Sequence, residues 1–164
     1  ILGGGYPELN ARELEANASM REDVRRVLND GMPCLAECGG FMYLHDEMEA
    51  MDGNSYHMVG VISGRAYRTQ RLNRFGYVTL TQKKEVLGMN DMGGIPAHEF
   101  HYFDSENCGD DFDAKKPASH RKWNCIHGTD TMMAGFPHLY FYGNPKVPEA
   151  FLRKCSQYGR QDAR

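Results

Sequence analysis

Several features that define whole classes of protein are missing from this 164-residue chain. No apolar run approaches the roughly 20 residues that a membrane-spanning helix needs. The formal net charge of −3 at pH 7 is too small to indicate nucleic acid or an anionic membrane as a partner. The zinc-binding spacing Cys-x-x-Cys does not occur, and we expect no metal site. Hydrophobic residues make up 41% of the chain and charged residues 25%, which is typical of a soluble globular domain.

A phosphate-binding loop of the form Gly-x-x-x-x-Gly-Lys-Ser/Thr is also missing, so the chain offers no recognisable ATP site. The five cysteines are an odd number without a paired framework, which predicts a reducing, cytoplasmic setting. The first two residues, Ile1 and Leu2, resemble the end of a strand. We therefore expect one domain over residues 1–164, clipped at its N-terminus.

The chain is organised around residues 33–44. A short apolar run up to Ala36 predicts a buried strand, and Gly39 and Gly40 precede an apolar segment that can begin a helix. A sharp turn from strand to helix at Cys38 would hold its side chain clear of the sheet, and the N-terminal end of the helix would favour the thiolate. Cys38 is therefore the candidate nucleophile, although a buried structural cysteine beside a glycine turn has the same pattern.

Residues 3–5, the first glycine cluster in the chain, leave backbone N–H groups uncovered and able to approach an oxyanion closely. Residues 17–30 predict an amphipathic helix between this cluster and the Cys38 strand, and Gly31 is a natural C-terminal stop. Strand, helix and strand in this order form a parallel β-α-β unit. The sequence therefore predicts an α/β fold.

The later chain predicts a second helix over residues 40–51, a closing helix over residues 148–158 and an exposed polar loop over residues 108–121. Consecutive strands with short connections indicate an antiparallel portion beside the parallel sheet. These strands are predicted at residues 58–62, 65–72, 75–81, 95–102 and from Trp123, with an apolar run at 131–135.

Seven histidines are candidates for the base that activates Cys38. His138 follows Gly135 and Pro137 at the end of an apolar strand, and the carboxyl ends of strands in an α/β sheet face the ligand crevice. His138 could therefore reach Cys38, whose strand ends at the same edge. The histidines without a supporting pattern are His45, His57, His120 and His127.

Glu99 and His101 are two residues apart on a predicted strand, so their side chains lie on the same face. There they could form a charged pair lining a site. His98 lies on the opposite face. The spacing from His98 to His101 differs from the metalloprotease pattern, which needs histidines four residues apart on a helix. A metal role is therefore not indicated for this segment.

Five ordered blocks of sequence recur together in one known family. They are residues 3–8, 36–44, 71–72 with 75–77, 98–102 and 134–139. In this order they resemble the glutaminase domain of cobyrinic acid a,c-diamide synthases, within the class I (triad) glutamine amidotransferases. The resemblance covers nearly the whole chain. It implies a three-layer α/β fold of flavodoxin-like type, with a mainly parallel sheet and some antiparallel edge strands.

The resemblance also implies a reaction, which is hydrolysis of glutamine through a cysteinyl thioester. Cys38 would attack the side-chain carboxamide, and His138 would act as base and then as acid. The oxyanion would lie between the N–H of Gly39 and an N–H of the first glycine cluster, at Gly4 or Gly5.

The resemblance leaves two roles open, which are the residue that binds the substrate α-carboxylate and the third member of the triad. Arg71 is the first choice to bind the α-carboxylate of glutamine, with Arg74 as the second. Triad enzymes of this class typically carry a glutamate two residues after the histidine, but Tyr140 occupies that position here. The third member is open between Glu99 and Glu37, so the expected machinery is a Cys-His dyad.

By resemblance, the glutaminase domain needs no cofactor and delivers ammonia to a synthetase domain of the same protein. That domain, absent from this chain, would bind ATP and Mg²⁺ and amidate a corrinoid substrate. The protein could also form a homodimer. The alternatives are the glutaminase half of a sister synthetase for another tetrapyrrole such as nickel-sirohydrochlorin, an inactive docking module, and a cysteine peptidase on a related fold.

Overall fold

The structure is a computed structural model that describes residues 1–161. Its helices are α1 (Ala11–Ala16), α2 (Ala18–Asn29), α3 (Gly39–Tyr43) and α4 (Lys146–Gln161), with 3₁₀ turns at Pro7–Leu9 and Phe141–Gly143. Its strands are β1 (Cys34–Glu37), β2 (His45–Glu49), β3 (Ser55–His57), β4 (Ile62–Arg68), β5 (Arg74–Gln82), β6 (Ile95–His101), β7 (Phe103–Ser105), β8 (Phe112–Lys115), β9 (Lys122–Cys125), β10 (His127–Gly128), β11 (Met132–Gly135) and β12 (His138–Leu139). The α/β class is confirmed.

The middle layer is a sheet in which β1 pairs in parallel with β11, and β10 adds an antiparallel edge. Leu2 forms a parallel bridge to Ala36 on the other side of β1. Because side chains alternate along a strand, Leu35 packs into one hydrophobic cluster while Cys34 and Ala36 pack into the other. The central strands are therefore buried on both faces, as the apolar run before Cys38 predicts.

Two further sheets flank this layer, with strand orders β12-β6-β5-β8-β9 and β3-β2-β4-β7. The first is antiparallel throughout, and the second contains one parallel pair, β2 with β4. Within residues 1–161, seven of the nine strand pairs are antiparallel. The predicted antiparallel portion is confirmed, and it is more extensive than a set of edge strands.

The helix that precedes β1 follows its sequence signals closely. The side chain of Asn17 accepts a hydrogen bond from the N–H of Met20 and caps α2. Gly31 adopts φ +86°, the left-handed conformation that ends a helix. The prediction for residues 17–30 is confirmed to within one residue at each end.

The prediction of a helix over residues 40–51 is wrong. α3 ends at Tyr43, and the chain continues at once into β2. The cause is tertiary: the buried His45 imidazole contacts the carbonyl of Phe41 at 3.0 Å and the hydroxyl of Ser105 at 2.6 Å, while Met48 is fully buried. Packing of alternating side chains on the sheet overrides the helical preference of this segment.

Two other predictions also need correction. Residues 58–62 are predicted as a strand, but residues 58–61 form the connection between β3 and β4, where Gly60 turns the chain at φ +73°, and only Ile62 belongs to a strand, as the first residue of β4. The loop predicted at residues 108–121 contains β8, whose Phe112 and Ala114 are fully buried. The sequence pattern does not indicate this strand, because only alternate residues reach the core and the residues between them are polar.

The strands predicted at residues 75–81 and 95–102 and from Trp123 correspond to β5, β6 and β9, and the closing helix corresponds to α4. Within residues 1–161, no helix has the length and apolar character needed to span a bilayer. The elements that matter for the site are β1, α3, β6 and β12, which meet around Cys38.

Candidate active site

Cys38 occupies the sharp turn that joins β1 to α3, which confirms the predicted strand-turn-helix arrangement. Its backbone has φ 49° and ψ −106°, a conformation that costs a non-glycine residue about 1–3 kcal/mol. The Cys38 N–H donates to the carbonyl of Gly135 at 2.9 Å, and its carbonyl accepts from the N–H of Met42 at 2.9 Å. These bonds hold the strained turn, and the thiol remains partly exposed.

The first glycine cluster lies directly against this turn. The N–H of Gly40 donates to the carbonyl of Gly3 at 3.1 Å. A Cβ atom on Gly39 would lie 2.7 Å from the carbonyl oxygen of Gly5, so only glycine permits this approach. The predicted meeting of the two glycine clusters is therefore present.

His138 lies beside the turn because β12 pairs antiparallel with β6, opposite His98. Its Nδ1 lies 3.4 Å from Oε2 of Glu37. Its ring covers Gly4 so closely that a Cβ there would lie 2.5 Å from Cε1. Hydrogen bonding to Cys38 and then to Glu37 raises the pKa of His138 to about 10, against the opposing effect of burial. The imidazolium is therefore the favoured form beside Cys38.

Glu37 is fixed by a second contact. Its Oε1 accepts a hydrogen bond from the N–H of Leu139 at 3.0 Å, while Oε2 faces His138. The residue immediately before Cys38 thus supplies a carboxylate to the imidazole. Of the two glutamates left open by the sequence, Glu37 is the one in contact with His138.

Glu99 lies elsewhere, fully buried among β5, β6 and β9. Burial raises its pKa, and the nearby Arg74 opposes this effect. The Arg74 guanidinium carbon lies 5.3 Å from the ring centre of Trp123. Neither Glu99 nor Arg74 is among the residues that line the cleft at Cys38.

Glu99 and His101 share a buried face, as predicted, but no salt bridge joins them in the described part of the chain. Nδ1 of His101 instead lies 2.7 Å from the carbonyl of Phe103, and its ring stacks on Phe136 at 4.0 Å between centres. Burial lowers the pKa of His101 to about 4. His101 is therefore a neutral imidazole in the wall of the cleft.

A cleft of about 950 Å³ opens onto Cys38 and His138. Besides His138, it is lined by two residues with charged side chains, Glu8 and Arg68. Arg71 is exposed in the adjoining loop and does not line the cleft. The remaining walls are formed by Gly4, Gly5, Tyr6, Met42, Met51, Thr69, Gln70, His98, Phe100, His101, Tyr102 and Phe103.

Sequence reasoning missed Glu8 and Arg68. Glu8 ends the first sequence block, residues 3–8, where the glycines drew attention instead. Arg68 is the last residue of β4, and no local pattern distinguishes it from the arginines that follow.

This geometry suits acyl transfer. A thiol on a strained turn, an imidazole held by a carboxylate, and uncovered backbone N–H groups form the set needed to attack a carbonyl and hold the resulting oxyanion. No group of three or more candidate ligands within residues 1–161 could hold a metal ion. All five cysteines are free.

Comparison with known proteins agrees with this chemistry. The family described as the CobB/CobQ-like glutamine amidotransferase domain matches residues 1–145. Cobyrinate a,c-diamide synthase of Caldanaerobacter subterraneus subsp. tengcongensis is 35% identical over 162 residues, covering 98% of this chain and 36% of that protein. The enzymes of the same name from Fusobacterium nucleatum and Picrophilus torridus are 39% and 36% identical, covering 90% and 94% of this chain and 33% of each protein.

The chain thus spans about a third of the length of these curated relatives. The family match extends from the first glycine cluster past the 3₁₀ turn after His138, and it includes every element of the site described above. The chain belongs to the CobB/CobQ-like glutamine amidotransferase domain family.

Proposed function

We propose that this domain hydrolyses glutamine at Cys38 and supplies the ammonia to an ATP-dependent amidation. The observation that carries the proposal is the position of His138, whose Nδ1 lies 3.4 Å from Glu37 and which lines the same cleft as Cys38. A cysteine beside a protonated imidazole is an activated nucleophile at neutral pH.

The reaction follows from these positions. The Cys38 thiolate attacks the side-chain amide carbon of glutamine and forms a tetrahedral intermediate. His138 donates its proton to the departing nitrogen, so that ammonia leaves and a glutamyl thioester remains. Neutral His138 then takes a proton from water, which attacks the thioester and releases glutamate. The thiolate and imidazolium are restored together.

Backbone donors would hold the oxyanion. Gly39 is the first residue of α3, so its N–H has no acceptor within the helix. The N–H groups of Gly4 and Gly5 make no backbone hydrogen bond within residues 1–161. Loss of one such donor typically raises a barrier by about 2.7–4 kcal/mol. We assign the oxyanion site to Gly39 and one of these two glycines.

The acceptor is proposed from the relatives, which are named cobyrinate a,c-diamide synthases. On this basis the ammonia would amidate the a- and c-carboxylates of cobyrinic acid. ATP and Mg²⁺ would bind outside this chain, because it has no phosphate-binding loop and the described residues offer no carboxylate cluster for a metal. The free cysteines favour the reducing cytoplasm as the setting.

The test is Cys38→Ser in the full-length protein, with Cys155→Ser on α4 as the matched control. Cys38→Ser should abolish glutamate release and glutamine-dependent amidation, while amidation supplied with free ammonium salt continues. Cys155→Ser should retain both activities. Glutamine use that survives Cys38→Ser would exclude Cys38 as the nucleophile.

Two further measurements complete the test. A diazo-ketone analogue of glutamine should label Cys38 in preference to the other four cysteines, and preferential labelling elsewhere would count against the assignment. Amidation assays with cobyrinic acid and with nickel-sirohydrochlorin would separate the proposed acceptor from the sister pathway, because the glutaminase chemistry is the same for both.

A further inference from the structure

The charges in the cleft are few and of opposite sign. Apart from His138, Glu8 and Arg68 are the charged side chains that line it. Neither forms a salt bridge with any residue of the described chain, although eight other ion pairs are present. Side chains that remain without a partner beside a nucleophile are available to a ligand.

Glu8 lies in the 3₁₀ turn Pro7–Leu9, just beyond the first glycine cluster. Its side chain is partly buried, and this burial raises its pKa. A carboxylate that has lost part of its hydration without gaining a cation is stabilised when a positive group approaches. The wall that carries Gly4 and Gly5 therefore presents a site for an ammonium group.

Arg68 ends β4 on another segment of the cleft wall. Its backbone is held by pairing with Phe103 and by a 3.1 Å hydrogen bond from its N–H to Oε2 of Glu49. The guanidinium itself makes no hydrogen bond to a described residue. Its planar fork of donors matches a carboxylate, which it can bind through two parallel hydrogen bonds.

We propose that Glu8 binds the α-ammonium group and Arg68 the α-carboxylate of the substrate amino acid, so that the pair selects glutamine from simple amides. One negative and one positive side chain complement the zwitterionic end of an amino acid, while Cys38 reacts at the other end. This inference rests on the proposed function and assigns to Arg68 the role that sequence reasoning gave to Arg71.

Three amide substrates distinguish the contact proposed for Glu8 from the contact proposed for Arg68. Glutamine carries both charged groups, 4-carbamoylbutanoate lacks the α-ammonium, and 4-aminobutanamide lacks the α-carboxylate. Glu8→Gln should lower kcat/KM for glutamine by about 10- to 100-fold and leave 4-carbamoylbutanoate nearly unchanged. Arg68→Gln should lower kcat/KM for glutamine and 4-carbamoylbutanoate by a similar factor and leave 4-aminobutanamide nearly unchanged. If an analogue is hydrolysed too slowly for kcat/KM to be measured, its inhibition constant (Ki) in the glutamine hydrolysis assay is compared instead.

The controls are Glu22→Gln on α2 and Arg12→Gln on α1, which remove the same charges from exposed positions outside the cleft. Both should behave as wild type with all three amides. Equal losses with all three amides in Glu8→Gln or Arg68→Gln would indicate a structural role and overturn the inference. Selective loss of carboxylate recognition in Arg71→Gln alone would also overturn it.

The outcomes distinguish this inference from the function on which it rests. A wild-type, full-length protein that does not hydrolyse glutamine would refute the proposed function. A protein that hydrolyses glutamine, but whose preference among the three amides is unchanged in both variants, would refute only the assignment of Glu8 and Arg68.

Discussion

Replacing Glu37 by glutamine tests whether this carboxylate, which immediately precedes the proposed nucleophile Cys38, sustains the charge on His138. The change is nearly isosteric, and the amide oxygen can still accept the hydrogen bond from the N–H of Leu139. What disappears is the negative charge 3.4 Å from Nδ1 of His138. The variant therefore separates the electrostatic effect of Glu37 on His138 from its effect on packing.

The size of the effect follows from the distance and exposure of the pair. Two unit charges 3.4 Å apart interact by about 5 kcal/mol at an effective dielectric constant of 20. The side chains of His138 and Glu37 are 38% and 20% exposed, so solvent screening reduces this to about 1–2 kcal/mol. One pKa unit corresponds to about 1.36 kcal/mol, and we expect the pKa of His138 to fall from about 10 by roughly one unit.

Titration of the His138 Cε1–H by NMR measures this shift without any substrate. The raised pKa stabilises the fold fully below about pH 6.5, and this stabilisation is lost as pH rises through about 10. In Glu37→Gln the stabilisation should be smaller and its loss should be complete at a lower pH, and kcat for glutamine should fall about 5- to 30-fold. Glu99→Gln is the matched comparison. An unmoved His138 titration in Glu37→Gln, or an equal shift in Glu99→Gln, would refute the reasoning.

Two further substitutions test packing. Gly4→Ala should displace the His138 ring, because the new Cβ would lie 2.5 Å from Cε1, and glutaminase activity should fall at least tenfold with the melting temperature retained. Gly3→Ala, with nothing within 4 Å, should keep its activity, and equal losses would contradict the explanation. Asn144→Ala should reduce the free energy of unfolding by about 1–3 kcal/mol in urea titrations, because the buried Asn144 amide no longer donates to the carbonyls of Met92 and Gly94. An unchanged urea midpoint would contradict that account.

Local chemistry made the centre of the site predictable from sequence. A strand, a reactive residue and two glycines define the turn at Cys38, because a Cβ on Gly39 would lie 2.7 Å from the carbonyl oxygen of Gly5. The glycines at residues 3–5 and the β-α-β order place a second loop beside that turn. His138 follows from the rule that ligand-facing side chains gather at the carboxyl ends of strands.

Tertiary contacts decided what the sequence did not predict. The segment after α3 is a strand because His45 and Met48 are buried against neighbours distant in sequence. Glu99 and His101 share a face, as their spacing predicts, but burial leaves His101 a neutral imidazole in the cleft wall, and no salt bridge joins it to Glu99 within residues 1–161. Arg68 lines the cleft and Arg71 does not, a difference set by where β4 ends.

The carboxylate that contacts His138 belongs to Glu37, the last residue of β1. Two residues after His138, Tyr140 carries no carboxylate and is 58% exposed. Glu37 approaches from the other side, one residue before Cys38. Cys38, the proposed nucleophile, and Glu37, which contacts the proposed base, are therefore consecutive residues at one strained turn, and the hydrogen bonds that hold this turn support both. His138 is held beside this turn by the short pairing of β12 with β6 and by the hydrogen bond from the N–H of Leu139 to Glu37.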